Sequence, residues 1–260
     1  MSSRRIATIA QNTFREAVRD RILYNLVLFA LLLTVSAIFL GAASASQDAK
    51  IIVDLGLGAT LLFGAFIAVL VGVGLVWKEI ERRSLYVILA KPVTREEFLL
   101  GKYLGLCAML AVNVAVMGAG VSLVLLWVGG LDSPLPLRIW PAVALIYLEV
   151  TILTAVALLF SSFSSPILST LASVAVFVIG HLATDLKGLA TLLDWGALPA
   201  IVLAVYYALP NLTHFSFITA AAHGVLPPAD HVAFATAYAG VWDAVLVAGA
   251  TLAFRRRDLK

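Results

Sequence analysis

Long apolar runs alternate with short charged segments along the chain, and the runs have the length of membrane-crossing helices. Four runs contain no charged residue, and two more contain a single acid each, Glu149 or Asp243. A helix needs about 20 apolar residues to cross a bilayer. The pattern therefore predicts six transmembrane helices, at roughly 22–43, 54–77, 103–130, 141–162, 166–184 and 232–254.

The composition is that of a polytopic membrane protein. The 260 residues are 62% hydrophobic and 13% charged, against about 45–50% and about 25% in soluble domains. So much apolar surface argues against a disordered chain and against a soluble enzyme. The single cysteine, Cys107, excludes an intrachain disulfide and a cysteine-based zinc cage. We expect an all-α polytopic membrane protein whose residues 1–260 form a single transmembrane domain.

The basic residues are concentrated in three segments. Fifteen of the 18 Lys and Arg residues precede the first predicted span, separate the second from the third, or follow the sixth. Cytoplasmic segments of membrane proteins carry the excess of Lys and Arg. This distribution predicts that the N-terminus, the 78–102 loop and the C-terminus are all cytoplasmic, which requires an even number of spans. The expected location is the inner (plasma) membrane.

The segment 185–231, before the last helix, is predicted to be external. Its apolar part, 189–210, is interrupted by Asp194, Gly196 and two prolines. A seventh span here would place the basic C-terminus outside, against the distribution of charge. We therefore expect a re-entrant helix or a hairpin that dips into the membrane from outside. It should pack on the bundle, because irregular backbone is not tolerated in lipid.

Residues 1–21 form a basic segment with helical periodicity. Apolar residues recur in it at steps of three and four: Ile6, Ile9, Ala10, Phe14, Ala17 and Val18. This spacing predicts an amphipathic interfacial helix, suited to the plane of the lipid headgroups. Two functions are open for it: an anchor that only sets orientation, or an elbow that leads into the first span and transmits force from a cytosolic partner.

The loop 78–102 is too highly charged and too regularly punctuated for a simple tether. A first short helix is predicted at about 79–90, and Pro92 ends it, because the residue before proline avoids the helical region. Thr94, followed three residues later by Glu97, matches a capping box that would open the helix of the third span. The pattern therefore predicts two short helices joined by a turn.

A series of residues in this loop matches a known pattern. In this chain the series comprises an acid at the end of span two, a Ser-Leu pair, an apolar pair, a Pro-Val-Thr-Arg run and a Gly-Lys pair. These are Glu79 or Glu81, Ser84-Leu85, Ile88-Leu89, Pro92-Val93-Thr94-Arg95 and Gly101-Lys102. The series resembles the ABC-2 permease family, the six-span membrane subunits of type-2 ABC exporters. The chain departs from that family at Arg83, where many members have glycine, and at Ser84, which replaces threonine.

The resemblance implies a permease subunit of an ATP-driven exporter. The loop would hold the coupling helix that docks on a separate cytosolic ATPase. Two ATPases would bind ATP and Mg and drive two permeases, the second being a copy or a paralogue of this chain. Membrane lipid is a further expected partner, and nucleic acid is not. The residues implied in ATPase coupling are Glu79, Glu81, Arg82, Arg83, Ser84, Leu85, Pro92, Thr94 and Arg95.

The sequence has no phosphate-binding loop of its own. Such a loop needs Gly-x-x-x-x-Gly-Lys followed by Ser or Thr. The Gly-Lys pair at Gly101 and Lys102 is followed by Tyr103, and Glu96 stands where the first glycine should be. We therefore expect no enzymatic activity, no cofactor and no metal site in this chain.

Three polar residues are predicted inside the spans: Asp243, Glu149 and Asn113. Ionisable groups in a bilayer are costly, which makes them candidates for handling protons or substrate. The structural alternative is that each acid pairs with a polar group such as Asn113, or that Glu149 reaches the outer interface.

Two other functions are open. One is a proton-coupled secondary transporter that uses Asp243 and Glu149. Such transporters often have broken spans in both halves, whereas here only the second half has an interrupted segment. The other is a non-transporting membrane scaffold subunit.

Small residues repeat every four positions in the second predicted span: Gly56, Thr60, Gly64, Ala68 and Gly72. Such a stripe lets two helices approach closely. It predicts helix packing, either within the chain or at a seam between two permeases.

Overall fold

A computed structural model of the chain describes residues 3–19, 21–42, 48–81, 94–130, 132–185, 188 and 198–256. Its elements in these ranges are helices. They are α1 (Ser3–Val18), α2 (Arg21–Ala42), α3 (Asp48–Glu81), α4 (Arg95–Gly129), α5 (Leu135–Arg138), α6 (Trp140–Ser161), α7 (Pro166–His181), α8 (Leu198–Ala208), a 3-10 turn (Leu212–Phe215), α9 (Ile218–Ala222) and α10 (Ala229–Arg256). Helices suit such apolar segments because each satisfies its own backbone hydrogen bonds in lipid.

Four helical stretches are long and apolar enough to cross a membrane: Asp48–Gly74, Arg95–Gly129, Leu135–Ser161 and Ala229–Phe254. A pair of helices bent by 50°, Pro199–Ala208 and Leu212–Ala222, makes a fifth candidate if it counts as one span. The first and fifth predicted spans lie on α2 and α7, where the apolar stretches in the described residues are shorter, Leu26–Ile38 and Pro166–His181. The chain is therefore an all-helical membrane protein with four to five span candidates.

The centre of the bundle is formed by α3 and α6. In the most apolar stretch of 18 residues in each of these spans, 72% is buried inside the protein, against 22% in α10. α3 contacts α2, α4, α6, α7 and α9, and α6 contacts α4, α7 and α10. α10 therefore lies at the periphery, held by α6 and α4.

The stripe of small residues in α3 serves packing inside the chain. A Cβ added at Gly56 would lie 2.7 Å from Val121 of α4, and one at Gly72 would lie 3.2 Å from Ala157 of α6. Gly64 in the same way faces Val150 of α6. These glycines pack against helices of the same chain. They therefore do not form a seam between two permeases.

The first helix folds back onto α4. Its predicted apolar residues are half-buried or buried, and α4 is their main neighbour. Contact is close at two glycines: a Cβ at Gly101 would lie 2.7 Å from Ile9, and one at Gly105 would lie 2.5 Å from the carbonyl oxygen of Ala10. The amphipathic helix predicted from the sequence is confirmed, and its apolar face is covered by the chain itself.

The predicted loop between the second and third spans differs from expectation at its start. α3 continues without a break to Glu81, so no separate helix begins at position 79. A helix that is already formed can be extended by about one turn into a polar segment at little cost, because each added residue adds one backbone hydrogen bond. The remainder of the predicted short helix, 82–90, lies outside the described residues.

α7 is the shortest of the long apolar helices and ends deep in the fold. Pro166 occupies its first turn, a position that proline favours because no hydrogen bond is lost there. Its last turn meets the segment before α9, since a Cβ at Gly180 would lie 2.7 Å from Leu212 and 2.9 Å from the carbonyl oxygen of Pro210. The end of α7 is thus covered by the bent segment that follows it.

Candidate functional site

The start of α4 has the capping box that the sequence predicts. The Thr94 hydroxyl oxygen accepts from the Glu97 backbone N–H at 3.2 Å. In return the Glu97 carboxylate accepts from the Thr94 backbone N–H at 3.3 Å. Two of the N–H groups that lack partners at a helix start are therefore satisfied, which fixes the direction in which the chain enters α4.

Arg95 connects this first turn to the end of α10. Its Nη1 donates to the carbonyl oxygen of Phe254 at 3.0 Å, and its guanidinium lies 5.9 Å from the centroid of the Phe254 ring. The rings of Phe98 and Phe254 stack with centroids 6.3 Å apart. One residue of α10 therefore contacts α4 through a hydrogen bond, a cation–π contact and a stacked ring.

Two ion pairs connect the first turns of α4 to α1. Glu97, whose side chain is 3% exposed, lies 3.8 Å from Nη1 of Arg5. Lys102, 4% exposed, lies 3.5 Å from the Glu16 carboxylate. Because Glu97 and Lys102 are buried, losing either ion pair would remove a favourable interaction from a charge that water cannot solvate well.

We call this group of contacts the α4 junction: Thr94, Arg95, Glu97, Phe98 and Lys102 on α4, Arg5 and Glu16 on α1, and Phe254 on α10. It begins at the first described residue after the gap at 82–93. The α4 junction therefore connects the start of α4 to both α1 and α10.

The other residues predicted for ATPase coupling are placed only in part. Glu79 and Glu81 lie in the last turn of α3. Arg82, Arg83, Ser84, Leu85 and Pro92 lie outside the described residues. Thr94 and Arg95 are the coupling candidates whose side-chain contacts are seen, and both belong to the α4 junction.

Asp243 lies in a polar cluster between α10, α6 and α4. The Thr151 hydroxyl oxygen is 3.1 Å from Asp243 Oδ2 and 2.7 Å from the carbonyl oxygen of Leu148, so one proton serves two acceptors. The Tyr103 phenol lies beside the same carboxylate. Asp243 Oδ1 is buried and has no hydrogen-bond partner among the described residues.

A cavity of about 490 Å³ opens beside this cluster. Asp243 and Tyr103 stand at it together with Glu96 and apolar or small residues of both helices. Its lining consists of Glu96, Leu100, Tyr103, Gly240, Asp243, Ala244, Val247, Ala248 and Thr251. We call this cavity the α4–α10 groove.

Glu149 is in a different environment from Asp243. It is 0% exposed, and its Oε1 lies 3.2 Å from Nε2 of His181 at the end of α7. The two atoms are at ion-pair distance, but their angle falls short of a hydrogen bond, and neither Glu149 oxygen has a hydrogen bond within the described parts of the chain. No part of the Glu149 side chain is exposed at the surface of the protein.

Asn113 pairs with neither acid. Its Nδ2 donates to the carbonyl oxygen of Met109 at 3.0 Å and lies 2.7 Å from the Met109 sulfur. The suggested pairing of an acid with Asn113 is wrong, because the amide satisfies itself on the preceding turn of its own helix.

Sequence reasoning missed the partners of these polar groups. His181, at the end of α7, is brought beside Glu149 by the packing of α7 on α6. The sequence does not distinguish Tyr103 and Phe254 from ordinary aromatic residues of apolar spans. The spacing of Glu96, Leu100 and Tyr103 at one face of α4 was the signal available for the groove. No group of three or more His, Cys, Asp or Glu side chains that could hold a metal is found among the described residues.

The fold and these sites define a multi-pass membrane protein whose polar contacts gather at one helix start and at two intramembrane acids. A family model described as "ABC-2 family transporter protein" matches residues 7–259. The chain therefore belongs to the ABC-2 family of transporter proteins, and it is a permease of that type. No curated protein matches the chain at a significant level.

Proposed function

We propose that the chain is the permease subunit of an ATP-driven ABC exporter and couples to a separate cytosolic ATPase through residues 78–102. The observation that carries the proposal is the α4 junction. It ties the segment that follows 82–93 to α1 and to α10 within about two turns of α4. A partner that moves this segment would move three helices at once, and differential contacts in two states are what coupling requires.

The proposal includes a topology. Six spans with both termini cytoplasmic agree with the placement of 15 of the 18 basic residues. Residues 185–231 would be external, with the bent pair α8 and α9 as the re-entrant part. The membrane is the inner (plasma) membrane, and the working transporter would contain two permeases and two ATPases that bind ATP and Mg.

The same site supports an active role for the N-terminal helix. Of its two possible functions, an anchor needs only basic charge, whereas an elbow needs attachment to the coupling segment. Arg5 and Glu16 provide that attachment through Glu97 and Lys102. We therefore assign α1 the role of an elbow that moves with the start of α4.

A proton-coupled secondary transporter is not favoured. Asp243 contacts Thr151, and Glu149 contacts His181. Residues 149 and 151 are two apart on α6 and so point about 200° apart around the helix. A direct relay between the two acids would have to pass through the helix that separates them.

The test is copurification. Full-length protein with an affinity tag, extracted from its native membrane, is expected to bring down a subunit that hydrolyses MgATP, identified by mass spectrometry. Reversing the loop charges (Glu79→Lys, Arg82→Glu and Arg83→Glu together) should lower the recovered ATPase by about tenfold, equivalent to about 1.4 kcal/mol of binding.

The matched control is Arg138→Glu, the reversal of an exposed charge at the last residue of α5, on the side of the membrane proposed to be external. It should recover as much ATPase as the parent. The proposal fails if no ATPase copurifies with the parent protein, or if the loop variant and the Arg138 variant recover it equally.

A further inference from the structure

The α4–α10 groove is built from two helix faces with regular spacing. α10 contributes Gly240, Asp243, Val247 and Thr251 with their neighbours, at steps of three and four residues. At about 1.5 Å per residue this face is about 16 Å long. Its volume of about 490 Å³ falls in the range of sites for drug-sized molecules, about 300–1,000 Å³.

The groove opens to the side, between the two helices. Gly240, Ala244 and Ala248 on α10 are exposed, although they line the cavity. A Cβ added at Gly240 would meet nothing within 4 Å, so there is free space at this wall. α10 is the least buried of the long helices, and the side opening therefore faces the surrounding medium of the bundle, which in a membrane is lipid.

The charged residues among the described lining of the groove are all acidic. Asp243 and Glu96 are acidic, Tyr103 and Thr251 are neutral and polar, and the remaining residues that line the cavity are apolar or small. Among the described residues that line the groove, none is basic. A cation is therefore favoured here and an anion is opposed, and an apolar body attached to the cation would be accepted by the walls.

Asp243 supplies a specific contact for such a cation. Its Oδ2 is close to Thr151, while Oδ1 is buried without a hydrogen-bond partner among the described residues. A carboxylate buried in a membrane helix is costly, and a ligand that places positive charge beside it would offset that cost. Asp243 lines the groove, so the negative charge of its carboxylate acts on a molecule bound there.

We infer that the α4–α10 groove binds an amphipathic organic cation from the membrane, with the positive group at Asp243 and the apolar body along Leu100, Val247 and Ala248. The inference rests on the proposed function and deepens it, because it names the class of molecule that the transporter would accept. A zwitterionic phospholipid fits less well, since its phosphate would meet the carboxylates of a groove whose described lining contains acidic residues and no basic one.

The experiment uses two ions of nearly equal size and opposite charge, tetraphenylphosphonium and tetraphenylborate. Each is titrated by equilibrium dialysis into the full-length chain in phosphatidylcholine nanodiscs, with empty nanodiscs as the baseline. Tetraphenylphosphonium should bind saturably, one ion per chain, and tetraphenylborate should show only the uptake of empty nanodiscs.

Two groove variants should weaken cation binding about tenfold or more, each by a different route. Asp243→Asn removes the charge at nearly constant volume. Gly240→Leu fills the free space and leaves every hydrogen bond of Asp243 in place, so it tests the site even if the first variant folds poorly.

The matched controls are Asp230→Asn, which removes an exposed acid from the first turn of the same helix, and Gly58→Leu, at a glycine of α3 that also has open space beside it. Both should bind the cation like the parent. The inference is overturned if the parent shows no saturable cation binding, if tetraphenylborate binds equally well, or if both groove variants bind like the controls. No ATPase is present in this assay, so its outcome is independent of the copurification test.

Discussion

At the scale of single residues, the two intramembrane acids are held in opposite ways. Glu149 is enclosed by the protein and lies at ion-pair distance from His181. Asp243 has Thr151 and Tyr103 on one side and the open groove on the other. The first arrangement is that of a structural pair, and the second leaves an acid accessible to a ligand.

This difference predicts an effect on stability. His181→Leu leaves the Glu149 carboxyl in the core without its polar neighbour, which should cost about 1–3 kcal/mol. The double variant Glu149→Leu with His181→Leu removes both partners and should recover most of that loss. The measurement is the thermal unfolding midpoint of the detergent-solubilised protein.

His223→Leu is the control for that series, because His223 is exposed and its ring is bonded to the backbone of its own segment. It should leave the midpoint unchanged. A double variant that melts lower than His181→Leu alone would show that Glu149 is not held by His181.

Local pairs were predictable from the sequence, and distant pairs were not. Thr94 and Glu97 are three residues apart, so their spacing alone defines the capping box. Glu149 and His181 meet only because α7 ends at the level of Glu149, and that depth depends on how α7 packs on α6. Asn113 could bond to its own helix or to a neighbour, and the sequence favours neither.

At the scale of elements, the close packing of α1 on α4 is the feature with most bearing on function. Gly101 and Gly105 lie on one face of α4, where the backbone of α1 passes. The two ion pairs lie at the same contact. The helix periodicity of residues 3–18 predicts an apolar face, but it contains no information about which helix covers that face.

Gly105→Ala should separate α1 from α4. The added methyl would lie 2.5 Å from the Ala10 carbonyl oxygen and 2.7 Å from Thr13, and overpacking of this kind costs about 1–3 kcal/mol. We expect faster amide hydrogen exchange across Ser3–Val18, measured by mass spectrometry on the protein in nanodiscs.

Gly74→Ala provides the comparison, since a methyl group there meets nothing within 4 Å. Its exchange in α1 should equal that of the parent. Equal exchange in the Gly105 and Gly74 variants would mean that α1 does not depend on contact at this glycine.

At the scale of the whole molecule, charge and length carry different amounts of information. The uneven distribution of Lys and Arg predicts an orientation without reference to packing. The span count is harder, because the apolar stretch in α7 has 16 residues, fewer than the about 20 that a simple crossing needs. A membrane crossing by so short a helix has to be completed by neighbouring segments, and the sequence pattern does not reveal which segments these are.

Cysteine labelling tests the proposed topology. Cys107 is buried, and its replacement by alanine gives a cysteine-free parent. Thr94→Cys and Phe163→Cys should react with a membrane-impermeant maleimide only from the cytoplasmic side, and Asp132→Cys and His223→Cys only from outside. All four positions are exposed. Labelling of His223→Cys from the same side as Thr94→Cys would contradict the arrangement of six spans.

The length of α3 and α4 has a mechanical consequence. Each runs for about 50 Å at 1.5 Å per residue, and neither contains a proline between its first and last residue. A continuous helix is stiff along its axis and behaves as a rod. A tilt imposed at one end of α3 would therefore be transmitted along the helix and act on α9, which contacts it, with no need for side chains in between to rearrange. The two faces of the membrane would be joined by a lever rather than by a chain of small adjustments.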